Sequence, residues 1–207
     1  MYWSSILSGA YGFTYGANGV WQVVTSEDPY GASPHGRSWG RITWKEAASF
    51  EGSTQVGLAA KFLDRYSWWD LHPLPGLLDY QQDEGNRIAP YAAGIPGELY
   101  IVFLPAIAGS LMFDLMRQRE RDRAVDSVDR RDPSLLARAR SSYGGKVWFC
   151  GIDPEISYRA FFFDPITGDE IEIGAVHVDG DGRWYSPDPP IFQDWVLVME
   201  CCGARVA

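Results

Sequence analysis

The stretch YRAFFFDPITGDEIEIG (residues 158–174) reads as two strands joined by a tight turn. Tyr158 and Phe161–Phe163 are aromatic residues that suit a pleated, packed surface. Asp164-Pro165-Ile166-Thr167-Gly168 supplies turn residues, and Glu170, Ile171, Glu172 and Ile173 then alternate with the period of a strand. This alternation places Glu170 and Glu172 together on a solvent-facing side. Working outward, the same reading gives strands at 98–104 (ELYIVFL), 110–115 (SLMFDL), 146–150 (KVWFC), 157–164, 170–176 and 194–200 (DWVLVME). Pro96-Gly97 and Asp179-Gly180-Asp181-Gly182 punctuate them, the latter as a hairpin turn. Short strands with regular turns predict an antiparallel β-sandwich over residues 78–207. A sign-alternating charged insertion interrupts it at about 117–143, with a short helix expected over 134–141 behind Asp132-Pro133.

The N-terminal part follows another rhythm. Residues 2–12 predict a short helix ending at Gly9 or Gly12, and GFTYGANGVWQVV (12–24) predicts a strand with close backbone approach at its glycines. A loop over 25–40 leads to a helix over about 43–66. Val56, Ala59, Ala60 and Leu63 share one face of that helix, while Gly52 and Gly57 each weaken it by about 1 kcal/mol relative to Ala. The Pro-punctuated stretch 67–86 marks a junction. The fold class expected is therefore α+β: the last strand–helix unit of a (β/α)8 barrel over residues 1–77, then the antiparallel β-sandwich. One strand and one helix cannot close a core, so this part must lean on the sandwich or on a partner. The abrupt apolar start at Met1-Tyr2-Trp3 suggests truncation.

Composition narrows the chemistry. Net charge is −9, from 18 Lys and Arg against 27 Asp and Glu, which argues against nucleic acid or an anionic membrane surface as partner. No run of roughly 18 apolar residues spans a membrane. The compartment cannot be read: there is no signal peptide, and Cys150, Cys201 and Cys202 form neither a disulfide framework nor a zinc spacing. Nine Trp residues raise the prospect of sugar platforms.

Two segments resemble a known family. YWSSILSGAYGFTYGANGVWQ (2–22) is similar to the segment that closes the barrel in apiosidase-like glycoside hydrolases. YRAFFFDPITGDEIEIG with DWVLVME resembles the small sandwich that follows it, a domain carrying the label of a collagen-binding domain of a collagenase. The resemblance implies hydrolysis of a glycosidic bond in polysaccharide-derived glycosides. That reaction uses two carboxyl groups, about 5–5.5 Å apart for retention or ~6.5–9.5 Å for inversion. The family's pair is expected on barrel strands before residue 2, so no catalytic residue is assigned, and the chain alone is expected to be inactive. A free-standing module binding carbohydrate or a matrix protein is the alternative, and a structural brace for the barrel a third reading.

Tyr15, Asn18 and Trp21, on the matching motif, are the candidate carbohydrate contacts: a ring stacks on a sugar face, and an amide serves two hydroxyls. Glu27 and Asp28 read as a polar loop, Asp70 and His72 as linker residues, and Trp68-Trp69 as a pair of which at most one faces outward. Asp179-Gly-Asp-Gly lacks the downstream Glu of a calcium loop. No metal ligands and no cofactor are expected. Self-association through the exposed barrel remnant is expected, since an uncovered edge invites pairing.

Overall fold

The computed structural model describes residues 1–29, 41–79, 89–106, 134 and 147–203. The expected strand at 110–115, the charged insertion and nearly all of its expected helix lie outside the described residues.

Eight strands form: β1 (His72–Pro73), β2 (Tyr91–Ile95), β3 (Leu99–Leu104), β4 (Trp148–Phe149), β5 (Tyr158–Phe163), β6 (Glu170–Val176), β7 (Trp184–Tyr185) and β8 (Trp195–Cys201). Six make one sheet in the order β1-β2-β3-β8-β5-β6, every pairing antiparallel, and β4 with β7 make a separate ribbon. The fold is thus α+β with a mostly antiparallel sheet. β1 lies before the expected boundary at residue 77, yet it pairs with β2 in the large sheet.

The central strands are apolar on both faces because both faces are covered. Tyr100, Val102, Leu104, Tyr158, Phe162, Trp195, Leu197 and Met199 point to one side, where Phe149 and Trp184 of the ribbon cover them. Leu99, Ile101, Phe103, Phe161, Phe163, Val196 and Val198 point to the other, against helices α1 (Tyr2–Leu7) and α3 (Glu51–Leu63). This is the period-two geometry of a strand, buried twice.

The helical layer departs from expectation in three places. Residues 13–24 form turns, not a strand: Val20 N–H donates to Ala17, Val23 to Val20 and Val24 to Gly19. A strand needs a neighbour to satisfy its backbone, and among the described residues none lies beside this segment, so local bonds take over. Gln22 Oε1 accepts from Gly19 N–H at 2.6 Å and fixes the turn. Gly19 sits at φ +103°, and a Cβ there would lie 2.5 Å from the Ile42 carbonyl oxygen. Second, the helix expected over 43–66 is two: α2 (Trp44–Ala48), capped by Thr43 Oγ1 on Glu46 N–H, and α3. Third, the buried face of α3 is Ala59, Phe62 and Leu63, while Ala60 is exposed.

Phe62 is the anchor of the seam. Its ring lies 4.5 Å from that of Phe163 and 5.7 Å from that of Trp3, and Trp3 in turn meets Phe163 at 5.9 Å. Beyond the end of α3, Tyr66 hydroxyl donates to Glu200 Oε2 at 2.7 Å, and Arg159 Nε donates to Glu200 Oε1 at 2.7 Å. Arg65 pairs with Glu170, and Arg159 also pairs with Glu172 at 3.4 Å. Glu170 and Glu172 do share a face, but that face carries ion pairs to the helix end and to β5 rather than solvent alone. Burial first, and the Glu200 hydrogen bond second, push the Tyr66 hydroxyl pKa up, so this hydroxyl is a proton donor throughout the ordinary pH range.

Candidate functional site

A cleft of about 560 Å³ opens where α1, α3 and the end of the sheet converge. Tyr2 and Trp3 come from α1, Phe13 and Tyr15 from the segment after it, and Gln55 and Val56 from α3. Phe103 and Ala106 end β3, Pro165 and Ile166 belong to the β5–β6 hairpin, and Phe192, Gln193 and Asp194 lead into β8. The hairpin is held in place by its own turn: Asp164 Oδ1 accepts from Ile166 N–H at 2.8 Å. Gly168, at φ +82°, leaves no room for a Cβ beside Leu58 of α3, whose Cδ2 would lie 2.9 Å away.

Asp194 is the acidic side chain among those lining the cleft. Ala106 N–H donates to its Oδ1 at 2.9 Å, joining the two strand ends. Burial raises its carboxyl pKa above the ordinary value, and the Ala106 bond offsets this only in part. Tyr2 is likewise raised, by burial and then by the charge of Asp64.

The three candidate contacts do not share one site. Tyr15 lines the cleft, half-buried over Gly52. Asn18 is exposed, and Trp21 is 55% exposed beside Gly16, both outside the cleft lining. Glu27 lies in an exposed loop where the Ser26 hydroxyl donates to it at 2.8 Å and lowers its pKa. Asp70 closes a 3-10 turn and His72 is exposed in β1. Of the Trp pair, Trp68 packs on the helix-side core and Trp69 is 58% exposed.

Asp179 Oδ1 accepts from Asp181 and Arg183 N–H at 2.9 and 2.8 Å, so it closes a loop. This is not a hairpin turn, because β6 and β7 on either side belong to different sheets. Cys150, Cys201 and Cys202 are free thiols.

Sequence reasoning missed Asp194, Phe192 and Gln55. Asp194 gains its meaning from a partner 88 positions away, and no local pattern announces that pairing.

The sequence of the helical layer decides its kinship. Residues 1–70 match the family described as "Apiosidase-like, catalytic domain". This segment is apiosidase-like. The apiosidase-like segment thus contains α1, the turns, α2 and α3, and its end abuts β1. No curated protein matches the chain. Among solved structures, one described as "Glycoside hydrolase" is similar over the whole chain, with a TM-score of 0.61 at 15% identity. A second, described as a glycoside hydrolase family 5 from Bacteroides vulgatus, has a TM-score of 0.62 at 15% identity. At that identity the likeness is one of fold. The chain covers 36% of the length of each.

Proposed function

We propose that this chain is the C-terminal part of an apiosidase-like glycoside hydrolase acting on polysaccharide-derived glycosides, without a catalytic carboxylate pair of its own. The observation that carries this is the single acid of the cleft beside the apiosidase-like motif. Bond cleavage by paired carboxyls needs a second group within about 5–10 Å across the scissile bond, and Asp194 is the acidic residue among those lining the cleft. The packing supports a bracing role: Trp3 and Phe62 of the apiosidase-like segment bury against Phe161 and Phe163 of the sheet. The purified chain should leave aryl glycosides intact. Hydrolysis lost on Asp194→Asn or another carboxylate substitution would overturn the reading.

Self-association belongs to the same reading. Trp21, Val23, Ile42 and Trp44 are exposed apolar residues of the apiosidase-like segment, tied together by Trp44 N–H donating to Val24 at 2.9 Å. Val23 is β-branched at φ 53°, a conformation that costs on the order of 1–3 kcal/mol. Such a face suits further barrel strands, and without them a second copy. Light scattering should show a dimer or larger species; a monomer at every concentration would remove this part.

The free-standing sugar-binding alternative draws less support. It calls for a flat aromatic row on the sheet, whereas Tyr100, Phe103, Tyr158, Phe161, Phe162, Phe163 and Trp195 are all buried.

A further inference from the structure

We infer that the cleft between α1, α3 and the end of the sheet is a binding site for one neutral sugar ring. It uses only residues described above, so it stands whether or not a carboxylate pair is supplied from elsewhere.

The cavity, about 560 Å³, falls inside the roughly 300–1,000 Å³ of small-ligand sites. Its walls are aromatic, with Phe13, Tyr15 and Phe192 offering ring surface to the C–H face of a pyranose. The polar groups are few: the Tyr15 hydroxyl, the Gln55 amide and the Asp194 carboxyl. Asp194 Oδ1 is engaged by Ala106 N–H, and among the described residues the other oxygen has no hydrogen-bond partner.

Donor and acceptor logic then selects the ligand. No Lys or Arg lines the cleft, which disfavours uronates and sugar phosphates. An ammonium ligand could satisfy Asp194 but would only donate. Gln55 and Tyr15 each present a donor as well as an acceptor, and sugar hydroxyls answer both. Burial also weighs against the charged form of Asp194, leaving it suited to exchange hydrogen bonds with hydroxyls. Tyr15 is held in place by the absence of a side chain at Gly52, so little ordering is left to be done on binding.

The test is saturation-transfer NMR on the full chain with methyl β-D-glucopyranoside and methyl β-D-xylopyranoside, with cyclohexanol and tetramethylammonium as controls. At least one glycoside should bind in the millimolar range, more tightly than either control. Tyr15→Ala and Gln55→Ala should each weaken binding by about tenfold or more, while Trp69→Ala and Trp148→Ala leave it unchanged. Gln55 is a half-buried helix position, so its variant remains informative if Tyr15→Ala fails to fold. Absence of transfer to both glycosides overturns the inference. So does equal binding of cyclohexanol or tetramethylammonium, or binding that depends on Trp148 and not on Gln55. Binding without hydrolysis supports the site and leaves the proposed function intact; hydrolysis would overturn that function while leaving the site standing.

Discussion

The ring of Tyr15 lies where a side chain at Gly52 would be: a Cβ on Gly52 would sit 2.8 Å from the Tyr15 hydroxyl and 2.9 Å from Cε2. A glycine that looks like a defect in a helix is the seat of a cleft residue. Gly57, one and a half turns further along the same helix, has nothing within 4 Å of its Cβ position. The two therefore separate helix propensity from packing. Gly57→Ala should stabilise the chain by about 1 kcal/mol. Gly52→Ala should gain less or lose outright, because the ring must move, and it should perturb the Tyr15 signals. Urea unfolding and tyrosine-resolved NMR of the two variants check this; equal gains would show that Tyr15 swings away freely.

The sheet was largely legible because its determinants are local. ELYIVFL, YRAFFF and WVLVME are apolar and β-prone, and β3, β5 and β8 form there within a residue or so at each end. Strands β1, β2 and β7 went unread. Two are only two residues long, and β2, Tyr91–Ile95, is small and glycine-containing, with a register set by its partner. Residues 13–24 misled for the opposite reason: Phe13, Tyr15, Val20 and Trp21 have strand propensity, but pairing decides whether propensity is used. Of the cleft, Tyr15 was readable from its motif. Asp194 and Phe192 were not, since chain crossings bring them there.

Phe62 joins the apiosidase-like segment to the sheet and is 2% exposed. Phe62→Ala should cost about 3–5 kcal/mol, the range for a buried phenylalanine that leaves a cavity. Ala60, on the exposed side of the same helix, should tolerate Ala60→Ser or Ala60→Gln within about 0.5 kcal/mol. Paired denaturant titrations distinguish the two faces. A mild effect at Phe62 would mean that α3 is not docked on the sheet in solution.

Glu200 holds two partners from different layers, Tyr66 beyond α3 and Arg159 on β5. Tyr66→Phe removes one hydrogen bond to a charged acceptor and should cost about 1.5–3 kcal/mol. Glu200→Ala removes both acceptors and should cost more, and the double variant should cost less than the sum, because Tyr66 and Glu200 share one bond. Additivity in this cycle would show that Tyr66 hydroxyl donates to solvent and not to Glu200.

Asp194 gives the protein a pH signature. Its folded-state pKa lies above the ordinary 3.8, because burial penalises the charged form. The folded chain therefore holds this proton more tightly than the unfolded chain. The stability that comes from this group is complete below the ordinary value and is lost as pH rises through the raised one. Asp194→Asn keeps a neutral oxygen for Ala106 N–H and abolishes the titration. In acid the variant and parent should unfold at similar denaturant concentrations. As pH climbs through the carboxylate range the variant should pull ahead, and the gap should level off once Asp194 is ionised. Urea midpoints measured in parallel across that range decide the matter. A gap that stays constant with pH would mean the cleft is wet enough to solvate the carboxylate. A gap that shrinks as pH rises would mean the charged form is stabilised there, reversing the electrostatic character assigned to the cleft.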